Sequence, residues 1–195
     1  MHVFRKHGRG FSLIELLVSI SIIALISGII ITKNGAFNGA VLLRNQTYAV
    51  AFALREAQMM AVSGARVTSG ESRYGVYFDT AVANRQTYQI FQDLNENGRW
   101  DPAENIGAVR QLDKRFKIRT VTYNGGFTDG IMSITFTRPN FDAVFTNSGG
   151  TTRSGPVYID VAQLAATDLD TNCGKVRRVE VTAPGLIAVT EYNNC

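Results

Sequence analysis

The 195-residue chain predicts an α+β fold in which one long N-terminal helix packs on an antiparallel β-sheet or sandwich. Three observations lead there. Residues 11–31 are almost wholly apolar, residues 34–63 keep a helical spacing of apolar positions, and the remainder breaks into short β-rich runs separated by turns. The predicted divisions are 1–10, a basic head; 11–31, a membrane-length helix; 32–63, its amphipathic continuation; and 64–195, a β-rich globular domain.

Phe11 to Ile31 is 21 residues, interrupted by Glu15 and a few serines. At about 1.5 Å per residue it covers the roughly 30 Å of a bilayer's hydrocarbon. Arg5, Lys6 and Arg9 precede it, so the N-terminus is expected to stay cytoplasmic and the rest to be exported. An ordinary signal peptide has a shorter apolar core and a small-residue cleavage site after it, and none follows Ile31. A plain anchor fits the length but leaves Glu15 unexplained, because a carboxylate in lipid costs about 2.5–3.5 kcal/mol and calls for a positive partner.

From Asn34 onward Leu43, Thr47, Val50, Leu54, Ala57 and Ala61 recur at intervals of three and four and define one face, expected to pack on the globular domain. No proline occurs before Pro102, so nothing forces a kink in the helix. The strand candidates are 74–79, 85–92, 115–123, 130–137, 155–162, 176–182 and 186–192. Asn124-Gly125-Gly126, Ser148-Gly149-Gly150 and Ala183-Pro184-Gly185 supply turn signals between them.

Charge and composition exclude several functions. Net charge is +4, but removing Arg5, Lys6 and Arg9 from the 20 basic residues leaves 17 against 16 acidic, a net of +1. No general nucleic-acid-binding charge remains. His2 and His7 are the only histidines, so without the first ten residues there is no Ser-His-Asp site and no His-ligated zinc. Nothing points to a paired-carboxylate hydrolase, and no enzyme is expected. Cys173 and Cys195 stand 22 positions apart. In an exported chain they read as one disulfide holding the last strand, worth about 3 kcal/mol, with two buried thiols as the alternative.

Two further segments carry chemistry. DLNENGRWDPAE, 93–104, fits the pattern D-x-[DN]-x-[DN]-G-x5-E of a calcium loop. Asp93, Asn95, Asn97 and Glu104 would supply side-chain oxygens, Arg99 a backbone carbonyl, Asp101 a direct or water-borne ligand, and Gly98 the sharp turn. Its flanks read as strand and loop, and the alternative is a solvated, turn-rich insertion. Gly174-Lys175-Val176-Arg177-Arg178 forms a basic spot whose plain reading is a charged strand face.

Gly10-Phe11-Ser12-Leu13-Ile14-Glu15-Leu16-Leu17 closely resembles the type III signal sequence of type IV pilins and type II secretion pseudopilins. The resemblance implies cleavage by prepilin peptidase after Gly10 and N-methylation of Phe11. It also implies pairing of Glu15 with the N-terminal amine of a neighbouring subunit during assembly. AFALREAQMMAVSG (51–64), FTRPNFDAVFTNSGG (136–150) and the closing hairpin are similar to the FimT/GspH branch of minor pilins and pseudopilins. The implied partners are other pilin subunits, the peptidase and an inner-membrane assembly platform. The implied location is the bacterial inner membrane and then a pilus or pseudopilus. Lys175, Arg177 and Arg178 resemble the Gly-Arg-x-Arg motif of DNA-binding FimT-type minor pilins, which makes DNA capture the alternative function.

Overall fold

The computed structural model describes residues 10–64, 73–123, 126–166 and 175–191, and the backbone alone for 32–37. Cys173 and Cys195, Gly174, and the basic residues before Gly10 lie outside the described residues. The chain divides into two compact units, Met1–Gly39 and Ala40–Cys195.

The first unit carries the start of helix α1, Leu13–Ser63. The Ser12 carbonyl accepts the N–H groups of Glu15 (3.1 Å) and Leu16 (3.2 Å) and opens the helix. Leu13–Ile31 is long and apolar enough to cross a membrane, and none of it is buried against other parts of the protein. Ser19 and Ser21 turn their hydroxyls back onto the carbonyls of Glu15 (2.7 Å) and Leu17 (2.8 Å). Their polar atoms are thereby satisfied within the helix, as an apolar solvent requires.

In the second unit α1 continues until Gly64, whose φ of 64° is the left-handed conformation that stops helices. Its buried face is Leu43, Thr47, Val50, Ala51, Ala53, Leu54, Ala57 and Ala61, which contains every position of the predicted stripe. The opposite side is also apolar. Val41, Tyr48, Phe52 and Met59 are exposed by 43, 44, 68 and 63%. At 100° per residue they fall within an arc of about 40°.

Among the described residues eleven strands form two antiparallel sheets. The first holds β1 (Arg73–Asp79), β2 (Thr87–Asp93), β3 (Arg110–Gln111), β6 (Ile131–Phe136), β7 (Ala143–Asn147) and β8 (Thr152–Arg153), in the order β3-β2-β1-β6-β7-β8. The second holds β4 (Phe116–Tyr123), β5 (Phe127–Asp129), β9 (Val157–Gln163), β10 (Val176–Val181) and β11 (Ile187–Glu191), in the order β11-β10-β9-β4-β5. The predicted α+β class holds, and all seven strand candidates are strands. β2 begins two residues late because Ala81 to Asn84 form a turn held by the Asn84 and Arg85 N–H groups on the Ala81 carbonyl. β3, β5, β7 and β8 have no counterpart among the candidates. Three of them are two or three residues long, too short to show a period of two.

One core joins the elements. The helix brings mostly small side chains, and the sheets bring Phe78, Phe116, Phe136 and Phe145 with Val76, Ile90, Ile118, Ile134, Ile159 and Val179. Fully burying side chains of this size stabilises by about 1.5–3 kcal/mol each. Polar contacts fix the helix laterally. Glu56 takes both oxygens to the Arg110 guanidinium (2.8 and 2.9 Å), Gln58 donates to the Gly185 carbonyl (2.8 Å) and Arg55 to that of Ile187 (3.1 Å).

A buried charge cluster sits in the second sheet. Asp160, 1% exposed, lies opposite Arg178 on β10 and Thr120 on β4. Its oxygens accept two bonds from Arg178 (2.7 and 3.0 Å), one from Arg119 (3.4 Å) and one from the Thr120 hydroxyl (3.2 Å). The register shifts between Ile118 and Thr120, so Arg119 is the extra residue of a bulge that turns it toward this carboxylate. Asp160→Ala takes the carboxylate away from the Arg119 and Arg178 guanidinium groups and is expected to lower unfolding free energy by about 3–5 kcal/mol. Urea unfolding of the two proteins measures it, and a loss under 1 kcal/mol would contradict the assigned role.

Candidate functional site

The start of α1 is the first candidate. Gly10 is exposed, with nothing within 4 Å of a Cβ built on it, and Phe11 is 85% exposed. Glu15 follows in the first helical turn, where a carboxylate is favoured by the helix dipole. Glu15 is itself exposed, and so are its neighbours Leu13, Ile14, Leu16 and Leu17. The geometry is that of an acid presented outward on an apolar rod beside a reachable glycine junction.

The second candidate is the 93–104 loop, which joins the end of β2 to a 3-10 turn at Pro102–Glu104. Asp93 is 2% exposed; its carboxylate accepts the N–H groups of Asn97 (3.1 Å) and Gly98 (2.8 Å). Glu104, 4% exposed, accepts those of Leu94 (2.9 Å) and Asp101 (3.1 Å). Gly98 has a φ of 71°, and a Cβ there would stand 2.9 Å from the Thr146 hydroxyl, so glycine is required on two counts. Asn95 and Asn97 both donate their amides to one oxygen of Asp101, at 2.8 and 3.0 Å. The loop is tied down by Trp100 N–H on the Ser133 hydroxyl (3.1 Å) and by Arg99 on the Ser148 carbonyl (3.0 Å).

Five of the six predicted calcium residues are thus drawn into one hydrogen-bonded knot. Arg99 joins it through its N–H on the Asn97 side chain (2.7 Å). Burial raises the pKa of Asp93 against the pull of the Gly98 and Asn97 N–H groups, and burial likewise raises that of Glu104 against those of Leu94 and Asp101. The amides of Asn95 and Asn97 lower that of Asp101. Among the described residues no three Asp, Glu, His or Cys side chains form a metal-holding group. The oxygen chemistry suits a hard cation, while the geometry here is closed by the protein's own donors.

The basic spot is the third. Arg178 is committed to Asp160 and lies 4.7 Å from the Tyr158 ring centroid. Arg177 pairs with Glu191 at 3.5 Å. Lys175 accepts the Gln163 N–H through its carbonyl (2.9 Å). The three do not form an open basic face, because the strand pairing that brings Arg178 opposite Asp160 spends its charge inside the sheet. The sequence missed this, since Asp160 lies 18 residues from Arg178 and no local pattern joins them.

Comparison with known proteins identifies the N-terminal segment. The family description that matches is the prokaryotic N-terminal methylation motif, at residues 5–31. That motif stands ahead of an α+β head. Among solved structures, that of the minor pseudopilin EPSH from the type II secretion system of Vibrio cholerae is similar, with a TM-score of 0.46 and 13% identity, covering 78% of this chain and 97% of that one. No curated protein matches.

Glu104→Ala removes the charged acceptor of the part-buried Leu94 and Asp101 N–H groups and is expected to cost about 1–3 kcal/mol. Urea unfolding at neutral pH checks this, and Glu104→Gln, which keeps an acceptor, should lose less.

Proposed function

We propose that this chain is a minor pilin or pseudopilin of the FimT/GspH kind, a structural subunit with no chemistry of its own. Prepilin peptidase cuts between Gly10 and Phe11, Phe11 is N-methylated, and the helix stays in the inner membrane with the head exported. An assembly platform then draws it into a type IV pilus or a type II secretion pseudopilus. The observation that carries this reading is Glu15: a carboxylate in the first turn of an exposed apolar helix, five residues past Gly10, within the methylation motif. A neighbour's new N-terminal amine is the cation that makes it tolerable in lipid. The exposed stripe Val41, Tyr48, Phe52 and Met59 supports the same reading, because an isolated soluble head has no use for it. DNA capture through 174–178 is not favoured, given the commitment of Arg177 and Arg178 to Glu191 and Asp160.

In cells that make prepilin peptidase, intact mass and N-terminal sequencing should find a chain beginning at methylated Phe11. Glu15→Leu should remain membrane-inserted yet enter the sheared filament fraction at least about tenfold less. Equal incorporation of the variant would end the assembly reading.

For the 93–104 loop we propose calcium held by Asp93, Asn95, Asn97, Asp101 and Glu104 with the Arg99 carbonyl. What supports it is the gathering of Asn95 and Asn97 on one Asp101 oxygen, with two buried carboxylates in the same loop. Bound calcium would add positive charge beside these buried acids. At about 10 mM calcium and extracellular-range affinity, stabilisation of about 1.5–3 kcal/mol follows, read as a rise of about 3–10 °C in Tm. The pH dependence has a definite sign. Burial raises Asp93 and Glu104, so the folded loop binds protons more tightly than the unfolded chain, and the stability this gives is lost as pH rises through the raised range. Calcium needs the ionised forms, so its effect should grow over that range. Superimposed melting curves with and without calcium, in wild type and Glu104→Gln alike, would remove it.

A further inference from the structure

A cavity of about 260 Å³ lies beside β1, β2 and the 93–104 loop, and its walls include Tyr77, Asp79, Tyr88, Gln89, Trp100 and Asn105. Tyr77 faces Gln89 across the β1–β2 pair. With Asp79 two residues on, these three occupy the sheet face opposite the core side chains Val76, Phe78 and Ile90.

The polar groups here are unbalanced in one direction. Gln89 is 4% exposed and its amide nitrogen donates to the carbonyls of Ile90 (3.0 Å) and Ile106 (3.5 Å). Those carbonyls fix the amide's orientation, and its Oε1 has no hydrogen-bond partner. Buried acceptors left in this state are rare in folded proteins. Asp79 is 7% exposed and accepts only neutral donors, the Ala81 N–H (2.8 Å) and the Asn84 amide (2.6 Å). Among the described residues no Lys or Arg forms an ion pair with it.

Besides the Tyr77 hydroxyl near Asp79, the side-chain donors of Asn84 and Trp100 line the wall, and both are already spent. The Asn84 amide is on Asp79, and the Trp100 indole N–H is on the Asn105 side chain at 2.6 Å. What remains is an unpaired carboxylate, an orphaned carbonyl oxygen and the π faces of Tyr77 and Trp100, whose ring centroids are 4.3 Å apart. Acceptors beside aromatic faces recognise a cation that donates several hydrogen bonds, an ammonium or a guanidinium. The volume is below the roughly 300–1,000 Å³ of small-molecule sites, which suits one side chain rather than a cofactor.

We propose that this cavity receives a single lysine or arginine side chain from a partner segment, its cation held between Asp79 and the Tyr77–Trp100 pair with Gln89 Oε1 accepting from it. The proposal stands apart from membrane assembly and from calcium. Trp100 is the sole tryptophan, so its fluorescence reports on this wall, and the titration is run without calcium because Trp100 also lies within the 93–104 loop.

The test titrates the full-length chain in a non-ionic detergent with N-acetyl-lysine amide and N-acetyl-arginine amide. N-acetyl-norleucine amide serves as the neutral isostere and glucose as a neutral polyol. The expected result is a saturable Trp100 change for the two basic amides, with Kd on the order of 1 mM. The neutral probes give none. Asp79→Asn should weaken binding at least about tenfold, whereas Asn at the exposed Asp142 should not. Should Asp79→Asn fail to fold, Gln89→Met decides, with weakening of at least about threefold expected. Absence of saturation, equal response to norleucine amide, response to glucose alone, or unchanged binding by the cavity variants would each overturn the proposal.

Discussion

The head depends on a size match between one helix face and two sheets. Ala51, Ala53, Ala57 and Ala61 are buried to within 1% on α1, and the largest side chains of the same core, Tyr74, Phe78, Phe116, Phe136 and Phe145, all come from the strands. Small residues let the helix axis approach, and the aromatic rings fill the space that the alanines leave. Enlarging any of those alanines would push against rings with no free volume behind them, at a cost of about 1–3 kcal/mol. The same seam explains why Glu56, Gln58 and Arg55 reach strand partners on either side: the close approach brings the flanks of the helix within hydrogen-bond distance of β3 and of the turn before β11.

The carboxylates of this protein are treated in three ways. Asp160 is compensated fully, by two guanidinium groups and a hydroxyl inside the sheet. Asp93 and Glu104 are satisfied by neutral backbone N–H groups, which stabilise the ionised form less and leave burial dominant. Glu15 has no ion pair among the described residues and faces outward from an apolar surface. That gradient separates an internal structural acid from loop-ordering acids and from one that awaits a group from outside the chain.

How much was legible in the sequence follows from the range of each interaction. The helix stripe could be read because Leu43 to Ala61 repeat every three or four residues, and each of those positions is buried. The seven longer strands showed as apolar runs between turn residues. β7 was hidden although it has five residues, since Ala143 to Asn147 follows an Arg138-Pro139 turn and has only two consecutive hydrophobic pairs to announce it. The spacing of the 93–104 loop correctly marked residues that come together, but not that they would close on one another through Asn amides. The role of Asp160 was invisible, because it arises from pairing between strands that are distant in the chain. Local periodicity carries no register.

The stripe of Val41, Tyr48, Phe52 and Met59 has a practical corollary. Deleting the anchor to obtain a water-soluble fragment leaves these four side chains facing solvent on a rigid scaffold, where they invite self-association at high concentration. Polar replacements at Phe52 and Met59 touch none of the packed face and would yield a better-behaved reagent for crystallisation, while disabling whatever contact that surface serves in the native particle.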